Sequence, residues 1–395
     1  MAHLLDGVTV LDLTRMLAGP YGSLLLADLG AEVIKVEDPA GGDPVRAMGP
    51  PFLNGESAYF ISINRNKKSL TLDLTTPRGR EVFLRLVQRA DVVLDNFRPG
   101  ILEKLGVEYP ALRQVNPRII ACSISAFGQD GPYRSLPAFD LILQAMGGAM
   151  SITGEPNRDP VRMGLPMGDL AGGLFGAFAV AGALFQRERT GEGRYIDLSL
   201  LDCQVSLLTY VAQYFLVTGE VPGPVGSAHA SAVPYQAFRT QDRHIVIAVF
   251  TEKFWSKLCA VIARPDLVED PRFATNAQRH AHRHELVPIL EEVFASRPAD
   301  DWLAALRAEG IPSGPINSVD RVLSDPQVLH RGMMVEMEHP RCGRVQVVNT
   351  PVKVIPGSPQ VIRPSPALGQ DTEEVLRRAG YTVEEIAQLR RERII

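Results

Sequence analysis

No CxxC pair occurs in the 395 residues, and the four cysteines, Cys122, Cys203, Cys259 and Cys342, stand far apart. That spacing excludes a disulfide framework and a cysteine zinc site, and it fits a reducing, cytoplasmic setting. An excess of either charge sign is missing as well: 41 Lys and Arg stand against 45 Asp and Glu, a formal net charge of -4, which leaves no global basic field for nucleic acid. The first residues, Met1 to Gly7, have neither the basic start nor the apolar core of a secretory signal, so none is expected. A Walker lysine loop is missing, which argues against ATP-driven ligation, and a Gly-x-Ser-x-Gly elbow is missing, which argues against a serine hydrolase. Internal repeats and low-complexity tracts are lacking too.

Two further gaps need a closer look. The first glycine turn, Ala18-Gly19-Pro20-Tyr21-Gly22, lacks the three-glycine spacing that lets backbone amides approach a pyrophosphate, so no nicotinamide or flavin is expected. His280, His282 and His284 stand close in sequence, but no carboxylate or thiol nearby completes a ligand set. We read them as a solvated basic helix start and expect no metal.

What is present is a βαβ rhythm. Strands are expected at Val8–Leu13, Glu32–Glu37, Ser69–Leu74, Asp91–Asp95 and Arg118–Ser125, with helices over 21–29 and 78–89 between them. Alternation of this kind implies a parallel sheet with right-handed crossovers, an α/β fold with a Rossmann-like sheet. Ligands of such sheets bind at the carboxyl ends of the strands, here Thr14–Gly19, Glu37–Gly42, Asn96–Gly100 and Ser125–Gly131. A smaller α+β domain is expected over 226–330, opening with a hairpin at Tyr235–Arg239 and His244–Val249. Residues 1–197 would form the larger domain and 198–225 a helical linker. Residues 331–395 would return to the larger domain, with strands at Val345–Val348 and Pro351–Val354 and two closing helices.

Asp169 is the most informative residue. It opens an apolar stretch in which Leu170 to Gln186 carries no ionisable side chain. The stretch is too short and glycine-rich for a membrane span and reads as a buried core helix. A lone carboxylate there either caps the helix that starts at Leu170 or does chemistry. Gly168, Gly172 and Gly176, spaced by four, line one helical face and would let another backbone come close. Positive charge gathers near the strand ends: Arg15, Arg46, Arg65, Lys67, Lys68, Arg98 and Lys104 lie in or beside them, which favours a polyphosphate ligand.

The chain resembles the class III coenzyme A transferases, the CaiB/BaiF group. The matching stretches are Leu11–Pro20, Asp28–Glu37, Asn64–Ser69, Asp95–Gly100, Ser125–Pro132, Gly168-Asp169 and Leu368–Thr372, in family order across almost the whole chain. The resemblance implies CoA as a co-substrate, no tightly bound cofactor, and a homodimer of interlocked rings. It implies that Asp169 is the nucleophile, passing CoA through mixed anhydrides and an aspartyl-CoA thioester. It also implies that Arg15, Met16, Leu17, Ala18, Leu72, Asn96, Phe97 and Lys104 lie near CoA, with Phe139 and Asp140 near the thioester.

Two departures bear on the substrate. Formyl-CoA:oxalate members carry Gln where Leu17 stands, so oxalate is disfavoured. They also close a glycine run over the intermediate, where this chain reads Ala248-Val-Phe-Thr-Glu252, so no glycine lid is expected and the anhydride would be shielded by Phe250 or by another residue. Racemases of the same fold place His-Asp where Phe139-Asp140 stands, and Phe139 cannot shuttle a proton. The segments Gly226–Arg239 and Asp325–Gly332, with Glu336–Pro340, look most like the succinate–hydroxymethylglutarate CoA-transferases. A dicarboxylate acceptor is therefore expected, with Arg46, His229 and Tyr235 as candidates for its distal carboxylate. The alternatives are a racemase-type enzyme and a non-catalytic acyl-CoA-binding subunit.

Overall fold

The structure is a computed structural model and describes residues 3–355 and 363–395. By its internal contacts the chain divides into two compact units, one of Met1–Ala149, Arg162–Val217 and Pro326–Ile395, the other of Met150–Val161 and Thr218–Asp325.

The first unit is built on a six-stranded parallel sheet. Its strands are β1 (Thr9–Asp12), β2 (Glu32–Glu37), β3 (Lys67–Thr71), β4 (Val92–Asp95), β5 (Ile120–Ser125) and β6 (Tyr195–Ser199). In space they run β3-β2-β1-β4-β5-β6, all parallel. The order reverses between β1 and β4, where an open α/β sheet leaves its crevice.

Strand residues alternate between two cores. Leu11, Ile34, Val93 and Ala121 pack on one face with Val82, Phe83 and Leu86 of the helix Pro77–Val87 and the C-terminal Val375, Leu376, Ile386 and Leu389. Val10, Val33, Val92, Ile120 and Cys122 pack on the other face with Ala18, Leu26, Val180 and Leu184. Both faces of the central strands β1, β4 and β5 are covered, and these strands are buried almost throughout. The return segment docks on the β3 edge: Asp371 accepts from Ser69 N at 2.8 Å, and its own N–H donates to Ser69 O at 2.9 Å. Gly369 takes φ +67°, and a side chain there would meet Thr71.

The helices that bear on the site are α1 (Ala18–Asp28), α2 (Pro77–Val87), α3 (Asp140–Met146), α4 (Met167–Thr190), α5 (Leu200–Leu207) and α6 (Thr209–Thr218). Among the described residues α4 alone is a single helix long and apolar enough to cross a membrane. It lies against the sheet, with Ala171, Val180 and Leu184 buried. Its closest backbone approach runs through Gly173, not through the predicted glycines. A Cβ on Gly173 would sit 2.7 Å from Ala18 O and 3.0 Å from Gly22 N of α1. Gly172 and Gly176 instead admit the side chains of Leu200 and Ile124, and Gly168 those of Gln204 and Asp140.

Two other expectations change. The stretch 198–218 is not one helix: its start completes β6, and α5 meets α6 at a bend of 69°, where Thr209 has φ +44°. Pro351–Val354 forms no strand. Gly343–Val348 pairs antiparallel with Met334–His339, a strand whose mixed Met, Val and Glu residues hide its alternation.

The second unit holds an antiparallel sheet of Tyr235–Arg239, His244–Ala248 and Ser313–Pro315. Its core gathers Phe238, Trp255, Phe294 and Trp302, and Trp302 Nε1 donates to Phe294 O at 2.9 Å.

Candidate functional site

A cavity of about 650 Å³ opens at the carboxyl ends of the strands, astride the β1/β4 switch point. Arg15, Met16, Leu17 and Ala18 line it after β1, Glu37 and Asp38 after β2, and Leu72 to Thr75 after β3. Asn96, Phe97 and Arg98 follow from β4, and Ser125 to Phe127 from β5. Phe139 and Asp169 complete the wall. Ile101 and Leu105, four apart on one short helix, also line it, whereas Lys104 is exposed and does not. Phe139 is 70% exposed.

Asp169 stands in the first turn of α4, which begins at Met167. It is not the cap. Asp140, the first residue of α3, takes that role: its Oδ1 accepts from Gly168 N at 2.8 Å and from Asp169 N at 3.3 Å. Its other oxygen accepts from Gln144 Nε2 at 2.6 Å, and Gln144, fully buried, also accepts from Met163 N. Capping by a residue 28 positions upstream in sequence leaves no local signal.

The Asp169 carboxylate is thus released from capping and, among the described residues, has no hydrogen-bond donor. Burial first, and the neighbouring Asp140 charge second, push its pKa up to about 7. Tyr59, which sequence reasoning missed, lines the same cavity. Burial together with the charges of Asp169, Asp43 and Asp140 pushes its phenol up to about 12, so it stays an O–H donor. No local motif marked it. A second donor set is the start of α1: Leu17 provides no side-chain cap, so the first N–H groups are open to an anion.

The cations sort into two groups. Arg15 and Arg98 line the cavity, joined by Arg134 from the loop after Gly131-Pro132. All are exposed. All the others except Lys104 are held in internal pairs. Arg65 donates to Asp28 at 2.5 Å, and Lys68 pairs with Glu32 and Glu374. Lys67 is fully buried, donating to Pro20 O and Asn64 Oδ1 at 2.9 Å and facing Asp12, and burial brings its pKa down to about 8. Lys67 and Lys68 start β3 at the edge opposite to the cavity.

Arg46 too is held internally. Its Nε and Nη2 grip the Glu37 carboxylate at 2.8 and 2.7 Å, its Nη1 donates to Pro366 O, and its guanidinium lies 3.7 Å over the Phe60 ring. A guanidinium so occupied has no fork left for a substrate carboxylate. His229 and Tyr235 belong to the second unit. Their rings stack at 5.2 Å, Phe250 packs edge-on against Tyr235 at 5.0 Å, and His229 Nδ1 accepts from Ser231 N and Ala232 N. Among the described residues no cluster of His, Cys, Asp or Glu could hold a metal ion.

The pieces assembled here are a carboxylate without donors, an apolar-walled cavity and exposed arginines at its rim. That set suits a nucleophile serving a long ligand with an anionic end. Comparison with known proteins agrees. Residues 5–372 match the profile of CoA-transferase family III. Succinyl-CoA:glutarate CoA-transferase of Mus musculus is 44% identical over 94% of this chain and 86% of its own length. Succinate–glutarate CoA-transferase of Agrobacterium fabrum is 40% identical, with 94% of each chain covered. The crystal structure of a CaiB/BaiF family protein from Brucella suis superposes with a TM-score of 0.86 at 40% identity, covering 96% of this chain and all of the other. The chain belongs to CoA-transferase family III and is an enzyme of that class.

Proposed function

We propose that the protein moves CoA from succinyl-CoA or a similar dicarboxylyl-CoA to a free dicarboxylic acid such as glutarate, with Asp169 as the nucleophile. The observation that carries this reading is Asp169 itself: a carboxylate on the wall of the switch-point cavity, without a hydrogen-bond donor and held near neutrality in pKa. The named activities of the mouse and Agrobacterium relatives supply the acid class.

The steps balance without ATP. Ionised Asp169 attacks the thioester carbonyl, the C–S bond breaks, and a mixed anhydride forms with CoA thiolate. The thiolate attacks the aspartyl carbonyl and releases the donor as a carboxylate, leaving an aspartyl-CoA thioester. The acceptor carboxylate attacks that thioester, regenerating the thiolate and a second anhydride. The thiolate then attacks the acceptor's carbonyl, and Asp169 leaves as a carboxylate. Each tetrahedral oxyanion needs donors, and the Tyr59 hydroxyl and the open start of α1 are suited to the task. Arg15, Arg98 and Arg134 suit the CoA phosphates.

A homodimer is also part of the proposal. The outer side of α4 exposes Phe178 by 77% and Phe185 by 62%, and the end of α6 exposes Leu216 by 72% and Val217 by 74%, an apolar surface that a second copy would cover. A cytoplasmic setting fits the four free, buried cysteines.

Intact-mass measurement after mixing with succinyl-CoA tests the mechanism. The expected result is a CoA adduct that Asp169→Ala abolishes and that glutarate discharges as glutaryl-CoA. Transfer without an adduct refutes the aspartyl intermediate. Equal turnover of monocarboxylates refutes the dicarboxylate assignment. Fast α-proton exchange in a 2-methylacyl-CoA would point to a racemase instead.

A further inference from the structure

Met16 lies on the cavity wall with φ +69°, the left-handed region that a non-glycine side chain rarely adopts. Such a conformation persists only where the surroundings over-determine it. Here four side chains hold three consecutive residues. Asp12 Oδ1 accepts from Thr14 N at 2.9 Å. The Asn96 amide brackets Arg15, accepting from its N–H at 2.8 Å and donating to its carbonyl at 2.7 Å. Lys35 Nζ donates to Thr14 O at 2.7 Å. Asp43 Oδ1 accepts from Met16 N at 3.2 Å and from Val45 N at 3.0 Å.

Lys35 and Asp43 also meet each other. Nζ lies 2.9 Å from Oδ2, and both side chains are shielded from solvent. A buried ion pair is a poor source of stability, because desolvation of both ions offsets their attraction. Its retention calls for another account, and the contacts give one. One end of the pair holds the carbonyl of Thr14, and the other holds the amide of Met16. The two ions therefore span the loop from beneath, while neither lines the cavity. Asp43 is itself placed by the donation of its N–H to Glu37 at 3.0 Å, the carboxylate that Arg46 grips.

We propose that Lys35 and Asp43 are positioning residues for CoA: together they clamp Thr14–Met16 with Met16 in the left-handed region, the shape that aims Arg15, Leu17 and the start of α1 into the cavity. The proposal rests on the reading of that cavity as the CoA site. Loss of the clamp lets Met16 relax to negative φ, which turns the wall away from the ligand while Asp169 stays in place on α4.

The test is a double-substitution cycle read by calorimetric binding of free CoA, with hydrogen exchange of peptides covering 14–18 as a ligand-independent readout. Asp43→Ala is expected to weaken CoA binding by about tenfold and raise KM for the CoA thioester, with KM for the carboxylic acid unchanged. Exchange in 14–18 is expected to accelerate. In a Met16→Gly background, where glycine adopts positive φ without steric cost, the same Asp43→Ala substitution is expected to cost much less. Asp43→Asn keeps an acceptor for Met16 N and Val45 N and gives up the charge facing Lys35. It is expected to bind CoA better than Asp43→Ala at comparable thermal stability, and it serves as the folded variant where Asp43→Ala does not fold. An Asp43→Ala loss of equal size in both backgrounds, or unchanged exchange in 14–18, overturns the clamp. Wild-type protein that binds no CoA overturns the reading of the cavity and with it the ligand assignment, while the exchange result still decides whether the clamp exists.

Discussion

Asp140 caps the helix on whose first turn Asp169 stands, accepting from Gly168 N at 2.8 Å and from Asp169 N at 3.3 Å. One carboxylate does the structural work that the other, by sequence position, would do. Asp169 is left to face the cavity, and the negative charge beside it helps to keep a proton on it near neutral pH.

Asp169→Asn removes the nucleophile and keeps the shape. Transfer between succinyl-CoA and glutarate should fall by about a thousandfold or more, with the Kd for CoA nearly unchanged by calorimetry. Transfer above a tenth of wild type would rule out Asp169 as the nucleophile.

The pKa of Asp169 sets two pH dependences. The reacting form is the carboxylate, so kcat/KM in the free enzyme should rise with pH through about 7 and then level. Stability runs the other way. The folded chain keeps the Asp169 proton up to about 7, whereas the unfolded chain loses it near the ordinary carboxylate value of 3.8. This group's contribution is therefore full below the unfolded pKa and is lost as pH rises through the folded one. Urea unfolding should show Asp169→Asn gaining on wild type by roughly 2 kcal/mol between acid and pH 8, a figure reduced for the group's partial solvent access. The comparison with Asp169→Asn isolates this group from Asp95, another buried carboxylate raised to about 7 by burial.

Asp140→Ala and Asp140→Asn should separate cap from charge. Both remove the charge that raises Asp169, so both should shift the rising limb of kcat/KM to lower pH. Only the alanine strips the acceptor from Gly168 N, and it should cost about 1 kcal/mol more in unfolding free energy. A limb that stays in place in both variants would show that burial alone sets the Asp169 proton.

The cations divide into functional and structural sets, and binding measurements can check the division. Arg98→Gln and Arg134→Gln should each weaken CoA binding by about three- to tenfold and flatten its salt dependence. Lys68→Gln, at the Glu32–Glu374 pair, should leave both unchanged.

Arg46→Ala should act on stability and not on substrate choice. It takes the guanidinium away from the buried Glu37 carboxylate, which keeps the Asp43 N–H and the Ser69 hydroxyl as donors, and should cost about 3 kcal/mol. The KM ratio of glutarate to succinate should stay the same. A selective loss of dicarboxylates would return Arg46 to the acceptor site.

The sequence by itself determined the βαβ order, the strand ends that carry the site and the family, because apolar periodicity, turn residues and motif spacing are local properties of the chain. It singled out Asp169 because a carboxylate opening an ion-free stretch is visible without coordinates. The tertiary structure decided what each charged group does. Arg15 and Lys67 are alike in sequence setting, but one lines the cavity and the other is sealed under α1 by Asp12, Asn64 and Pro20. Arg46 looked free until Glu37, nine residues back, closed on it. Asp140 and Gly168, Asn96 and Arg15, and Lys35 and Thr14 are far apart in the chain and meet only through tertiary packing. Long-range pairs of this kind have no spacing to read, because burial and the choice of partner are set by which strands become neighbours.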